Sequence, residues 1–190
     1  MENVPVSAGL SSFNLLDERV FFKALGLAPG MILLDLACGV GNYTMAASPY
    51  VGEKGQILAM DLWWEGLETL WVRADMRNVE NVHPVIADAG EGLPLSHWSV
   101  DCCLMATAAH ILAQENALPR VLREIRNILR PAAILAIVEF HKIEGPPGPP
   151  LAWRLSPGEL ENIVCSSGFQ CVKNLDVGPC NYLSLFRAPG

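Results

Sequence analysis

Apolar positions in this chain recur at two periods, one helical and one extended, and segments of the two kinds alternate. Leu15 to Leu25 carries apolar residues at helical spacing and stops at Gly26, a residue suited to a left-handed cap. Met31 to Ala37 is a short apolar run ending in a glycine-rich turn, the pattern of a strand buried on both faces. A helix is expected from about Gly41 to Tyr50. A second strand, Gln56 to Met60, is stopped by Asp61, and a second helix spans Glu65 to Arg77. Val82 to Ala87 reads as a third strand and Val100 to Ala106 as a fourth. Leu118 to Leu129 is amphipathic, and the Arg130-Pro131 step disfavours helix there. Ala132 to Phe140 reads as a fifth strand.

The tail follows the same logic. Ser156, Pro157 and Glu159 form a capping box with proline at the first helical position, opening a helix that stops at Gly168. Phe169 to Val177 and Tyr182 to Arg187, joined by Gly178 to Asn181, predict a closing antiparallel hairpin. Five strand–helix alternations before a hairpin predict an α/β fold: a doubly wound, seven-stranded, mostly parallel sheet with helices on both faces. Right-handed crossovers then gather the ligand-facing loops at the carboxyl ends of the strands.

Composition narrows the class. A chain of 190 residues supports one well-buried core, so residues 1–190 read as a single domain, with 1–28 as an N-terminal helix region. The formal charge of −7 argues against a nucleic-acid surface. Arg120, Arg123, Arg126 and Arg130 are expected on one helix as its solvated face. No apolar run is long enough for a membrane span, and the opening residues lack the basic-then-apolar pattern of a secretory leader, so the cytoplasm is expected. The six cysteines include no C-x-x-C pair, and no metal is expected.

The chemistry collects where strands end. Asp35-Leu36-Ala37-Cys38-Gly39-Val40-Gly41-Asn42 joins the first strand to the first following helix through small residues, which let a backbone pass close to a ligand. A dinucleotide loop would carry a third glycine three positions after Gly41, where Thr44 stands. Asp61 ends the second strand and Asp88 follows the third. Ser99-Val100-Asp101 leads into the fourth strand, and Glu124 to Pro131 precedes the fifth. Together these segments resemble the motifs of the class I S-adenosylmethionine-dependent methyltransferases, over about Leu25 to Phe140. Two departures are Ala37, where the family has its first glycine, and Ala132-Ala133, where glycines are usual after the proline.

The resemblance implies a Rossmann-like methyltransferase fold and S-adenosyl-L-methionine as cofactor. It implies that Asp35, Ala37, Gly39, Gly41, Asn42 and Tyr43 meet the cofactor at the first turn. Asp61 and Leu62 would sit at the ribose, Asp88 and Ala89 at the adenine, and Ala106 at the end of the fourth strand. Trp63 and Trp64 either flank the adenine or cover the sheet edge. The implied reaction moves a sulfonium methyl to a small-molecule acceptor, and the protein supplies alignment, desolvation and a base. Candidate catalytic groups are His110, Glu139 and His141, because a neutral histidine accepts a proton. The Pro/Gly-rich segment 141–155 is expected either to cover the acceptor side as a lid or to be a rigid connector packed against the last helix. The alternative is a non-catalytic sensor or partner subunit that binds the cofactor or a related nucleoside. A third reading, arsenite methylation, would need Cys165, Cys171 and Cys180 to act together.

Overall fold

The structure is a computed structural model and describes residues 9–190. Residues 1–8 of the expected N-terminal region 1–28 lie outside it. A 3-10 turn, Phe13–Leu15, precedes helix α1, Glu18–Leu25. The helix starts later than its apolar spacing suggests because Asp17 caps it, accepting from the N–H groups of Arg19 and Val20. Gly26 closes it at φ 68°.

Strands β1 (Ile32–Leu36), β2 (Gln56–Asp61), β3 (Val82–Ile86), β4 (Val100–Ala106) and β5 (Leu129–Phe140) are parallel. β6 (Gln170–Asp176) and β7 (Asn181–Arg187) form the hairpin, whose β7 pairs antiparallel to β5. The seven strands run in the order β3-β2-β1-β4-β5-β7-β6. The order reverses between β1 and β4, which sets a ligand cleft at their carboxyl ends.

Helices α2 (Asn42–Val51) and α3 (Trp64–Met76) share one face with α1, while α5 (Leu118–Ile128) and α6 (Pro157–Ser166) cover the other. Strand alternation divides the core accordingly. Leu33, Ile57, Leu104 and Val138 pack toward α1, α2 and α3, whereas Leu34, Leu36, Leu135 and Ile137 pack toward α5 and α6. Each of these fully buried side chains contributes roughly 1.5–3 kcal/mol. A one-residue slip of β1 would exchange the two apolar sets and turn the buried Asp35 away from Thr44 on α2, so register is strongly specified.

Three elements differ from expectation. A six-residue helix, α4 (Ala109–Gln114), follows β4. It is under two turns long, too short to show a helical period. Helix α5 ends at Ile128 and β5 begins at once at Leu129, so Arg130 lies on a strand and not on the arginine-bearing helix face. Arg130 pairs with Asp101, whose other oxygen accepts from Ile32 N–H at 2.8 Å, tying β4 to β1 and β5. Between the pairs Val100↔Leu129 and Cys102↔Ile134 the register jumps, and Pro131 sits in that bulge, outside the regular ladder. No helix among the described residues is long and apolar enough to cross a membrane.

Candidate active site

The turn after β1 holds three alternating left-handed residues: Ala37 at φ 60°, Gly39 at 55° and Gly41 at 73°. The backbone thus keeps a glycine conformation at Ala37, although alanine stands there. Gly41 is required sterically as well, since a Cβ there would lie 2.3 Å from the Leu70 side chain. A Cβ on Gly39 would meet no atom within 4 Å, so the turn leaves open space on the side where a ligand would lie. Its N–H donates to Asp61 Oδ2 at 2.7 Å, and Trp63 N–H donates to Asp61 Oδ1 at 2.8 Å. Asp61 therefore joins the turns after β1 and β2. Each of its oxygens keeps a second lone pair, enough to accept two vicinal hydroxyls.

Beyond β3, Asp88 is exposed, with Oδ1 accepting from Gly90 N–H at 2.7 Å, and Ala89 lies half-buried beside it. Leu62 is half exposed at the rim, and Ala106 is half-buried at the end of β4. A row of groups suited to a nucleoside therefore runs from β1 to β3. Asn42 stands apart from this row, because its Oδ1 accepts from Arg73 Nη1 at 3.0 Å. Tyr43 also turns inward. Its hydroxyl lies 2.8 Å from Ser12 Oγ, and its ring meets Phe13 and Phe21 edge-on.

Asp35 is buried beneath this turn, and its Oδ2 accepts from Thr44 Oγ1 at 2.5 Å. Burial raises its pKa to about 7, against the Thr44 bond and with help from the Asp61 charge. Thr44, the residue that separates this loop from the dinucleotide pattern, is thus the hydroxyl partner of the turn's carboxylate.

Beyond the carboxyl ends of β4 and β5, α4 and β5 bring His110 and Glu139 together from 29 residues apart. The ring Nδ1 lies 3.0 and 2.9 Å from the two carboxylate oxygens, and the His110 N–H also donates to Oε1 at 3.0 Å. Both residues are buried. His141, one residue past β5, does not join them. Its N–H donates to the Cys180 carbonyl, and its Nε2 pairs with Asp176 Oδ1 at 3.0 Å. Residues that sequence patterns did not single out complete the edge: Ser12, Thr107, Arg154 and Asn181. Thr107 is a β-branched residue at φ 54°, an unusual conformation placed directly between β4 and α4. A surface groove of about 600 Å³ between α5 and α6 is lined by Arg123, Arg126 and Ser167 and by none of these groups.

Cys165 lies on α6 and Cys171 at the amino end of β6, whereas Cys180 lies in the turn beyond its other end. At 3.3 Å per residue, Cys171 and Cys180 stand roughly 20 Å apart. Among the described residues no His, Cys, Asp and Glu group is arranged to hold a metal ion.

This chain belongs to the methyltransferase-domain family, whose pattern matches residues 33–132, and within it to the class I S-adenosylmethionine-dependent enzymes. A 2-phytyl-1,4-naphtoquinone methyltransferase of Trichormus variabilis is 32% identical over 129 residues, 66% of this chain and 53% of the relative. A ubiquinone/menaquinone biosynthesis C-methyltransferase, UbiE, of a Shewanella species is 32% identical over 126 residues, 66% of this chain and 49% of the relative. The chain thus spans about half the length of these curated relatives. A solved S-adenosylmethionine-dependent methyltransferase of Aquifex aeolicus is 28% identical, with TM-score 0.86 over 97% of this chain and 94% of its own. The cofactor is S-adenosyl-L-methionine. The open face of Gly39 and the Asp61 carboxylate fit its nucleoside half.

Proposed function

We propose that this chain, acting as one domain over residues 1–190, transfers the cofactor's methyl group to a small-molecule acceptor whose reacting group carries a dissociable proton. The observation that carries this reading is the His110–Glu139 pair. An ionised glutamate only accepts, so Nδ1 is assigned the proton and Nε2 the lone pair. No described residue is hydrogen-bonded to Nε2, and we assign that atom to take the acceptor's proton. Glu139 orients the ring and stabilises the imidazolium that forms. When bound, S-adenosylmethionine supplies an electrophilic methyl on sulfur. Asp61 would hold its ribose, Asp88 and Ala89 its adenine, and Asp35, Ala37, Gly39, Gly41 and Ala106 its remaining part.

Both curated relatives carry quinone names, so a reduced quinone ring is the first acceptor class supported. The six free cysteines support a reducing compartment, and we place the protein in the cytoplasm. The test is methyl transfer from labelled S-adenosylmethionine to a panel of reduced naphthoquinones and phenols, with products read by mass spectrometry. His110→Gln should lower turnover about 100-fold or more while S-adenosylhomocysteine affinity is retained. An unchanged rate in the folded variant removes His110 from the chemistry. Cofactor binding without transfer to any of these compounds favours the sensor reading.

A further inference from the structure

Asn181 opens β7 and is fully buried. Its Nδ2 donates to the Glu139 carbonyl at 3.3 Å, which sets the orientation of the amide. Its Oδ1 then has no donor. It is the one buried side-chain oxygen or nitrogen without a partner among the described residues. Leaving such a group unpaired costs about 1–3 kcal/mol, and buried polar groups are otherwise nearly always paired. That cost calls for an explanation outside the fold itself.

The position supplies one. Asp61 and Asp88 set the nucleoside side of the cleft on β2 and β3, and β7 lies two strands beyond β4 on the opposite side. Two strand spacings are about 10 Å, so Asn181 stands within one small ring system of the β4 end. The same Glu139 that holds His110 through its carboxylate holds Asn181 through its carbonyl. Glu139 is in register with Tyr182 and Phe140 with Asn181, so the base and the orphan oxygen lie at one edge of the sheet on opposite faces, and an acceptor that reaches both straddles that edge.

We propose that Asn181 Oδ1 anchors the methyl acceptor by accepting a hydrogen bond from a hydroxyl or N–H group other than the one methylated. The inference rests on the acceptor lying at this edge, as read above. An amide oxygen is only an acceptor, so it selects for substrates that carry such a donor and against their O-methyl or purely apolar analogues. The turn that Asn181 closes is packed under the N-terminal segment. Val177 N–H donates to the Asn181 carbonyl, Asp17 N–H donates to the Val177 carbonyl at 2.6 Å, and Leu15 lies against Gly178.

The test compares 1,4-dihydroxynaphthalene with 4-methoxy-1-naphthol, which keeps one reacting hydroxyl and lacks the second, each titrated calorimetrically into the full chain with S-adenosylhomocysteine bound. The wild type should bind the diol about tenfold more tightly, the worth of one net hydrogen bond. Asn181→Leu should bring the two affinities together while S-adenosylhomocysteine binding is unchanged. Asn181→Asp, which retains an oxygen there, should keep the preference. Should Asn181→Leu not fold, Asn181→Ala reads the same ratio. A preference that persists in the folded variant assigns it to His110 and overturns the proposal. Absence of preference, or of binding, in the wild type overturns it equally. A preference that depends on Asn181, in a protein that methylates none of the panel, leaves the anchor standing and sinks only the methyl-transfer reading.

Discussion

Arg154 stands over the ring of Phe140, its guanidinium carbon 5.7 Å from the centroid, at the centre of the loop that follows β5. The loop is wound around that one side chain. Arg154 donates to the carbonyls of His141, Ile143, Gly145, Pro147 and Pro149 at 2.7–3.1 Å. Gly148 is required by the same packing, since a Cβ there would lie 2.7 Å from Phe140. Sparse regular structure is compensated by a buried cation that satisfies five main-chain oxygens. The 3-10 turn Leu151–Trp153 at the end of the loop packs on α4, which carries His110.

The segment 141–155 is thus built to hold one shape. Arg154→Ala should cost about 3 kcal/mol in urea unfolding, because several carbonyls lose a charged donor at once. Arg154→Lys should recover little, since an ammonium cannot reach five oxygens in a fork geometry. Limited proteolysis should shift to 141–153 in both variants, and turnover should fall while cofactor affinity holds. Unchanged proteolysis and stability would show that the loop is held by something other than Arg154.

Ala37 keeps the left-handed backbone of the family's glycine, and Ala132, at φ 62°, does the same in the β5 bulge. A Cβ in that region costs roughly 1–2 kcal/mol, partly offset by the entropy of an added glycine in the unfolded chain. Ala37→Gly and Ala132→Gly should therefore each raise stability by about 1 kcal/mol. Chemical denaturation tests this directly, and destabilisation by either variant would contradict the backbone conformation described.

Much of this architecture is legible without coordinates, for reasons that particular residues make plain. Strands β1 to β4 are apolar runs, β2 and β3 stopped by Asp61 and Asp88, so their places follow from local pattern. Strand β5 instead begins at Leu129, ahead of the expected Ala132, because the Arg130-Pro131 step lies in its bulge. The Ser156–Glu159 box forms as its spacing implies, with both reciprocal bonds present. The pairing of His110 with Glu139 is different in kind. Each was visible as a candidate, but only the parallel neighbours β4 and β5 bring them into contact. Tyr43 and Asn42 were expected toward the cofactor by resemblance, yet their side chains meet Ser12 and Arg73 across the fold. Main-chain carbonyls carry no sequence signature, so the partners of Arg154 and the orphan state of Asn181 could not be read in advance.

The buried carboxyl of Asp35 links stability to pH. Its pKa rises from 3.8 in the unfolded chain to about 7 in the fold. The folded state therefore holds a proton that the unfolded state releases, and stability present below about pH 4 is lost as pH rises to about 7. The loss amounts to about 4 kcal/mol at full ionisation. Asp35→Asn, which still accepts from Thr44, should be more stable than the wild type at pH 8, with the difference shrinking toward pH 4. Urea unfolding at several pH values measures it. Parallel curves for the two proteins would show that Asp35 does not titrate in this window.

Asp61 carries two duties that a single substitution can separate. Its carboxylate accepts from Gly39 and Trp63 N–H, and it faces the place of the ribose hydroxyls in the proposed cofactor pose. Asp61→Asn puts an amide donor opposite one of those N–H groups, so the turn after β1 or after β2 must loosen. The variant also loses the charge that strengthens bonds to hydroxyl donors, each worth about 1.5–3 kcal/mol. Together these effects should weaken S-adenosylhomocysteine binding by roughly 10- to 100-fold or more. Global stability should fall less, by about 1–2 kcal/mol, because the residue is only half-buried at a strand end. Glu68→Gln, on the exposed face of α3, serves as the control and should change affinity little. Calorimetric titration of both variants, beside their urea curves, separates binding from folding. Full affinity in a folded Asp61→Asn protein would restrict Asp61 to joining the two turns and leave the ribose to other groups.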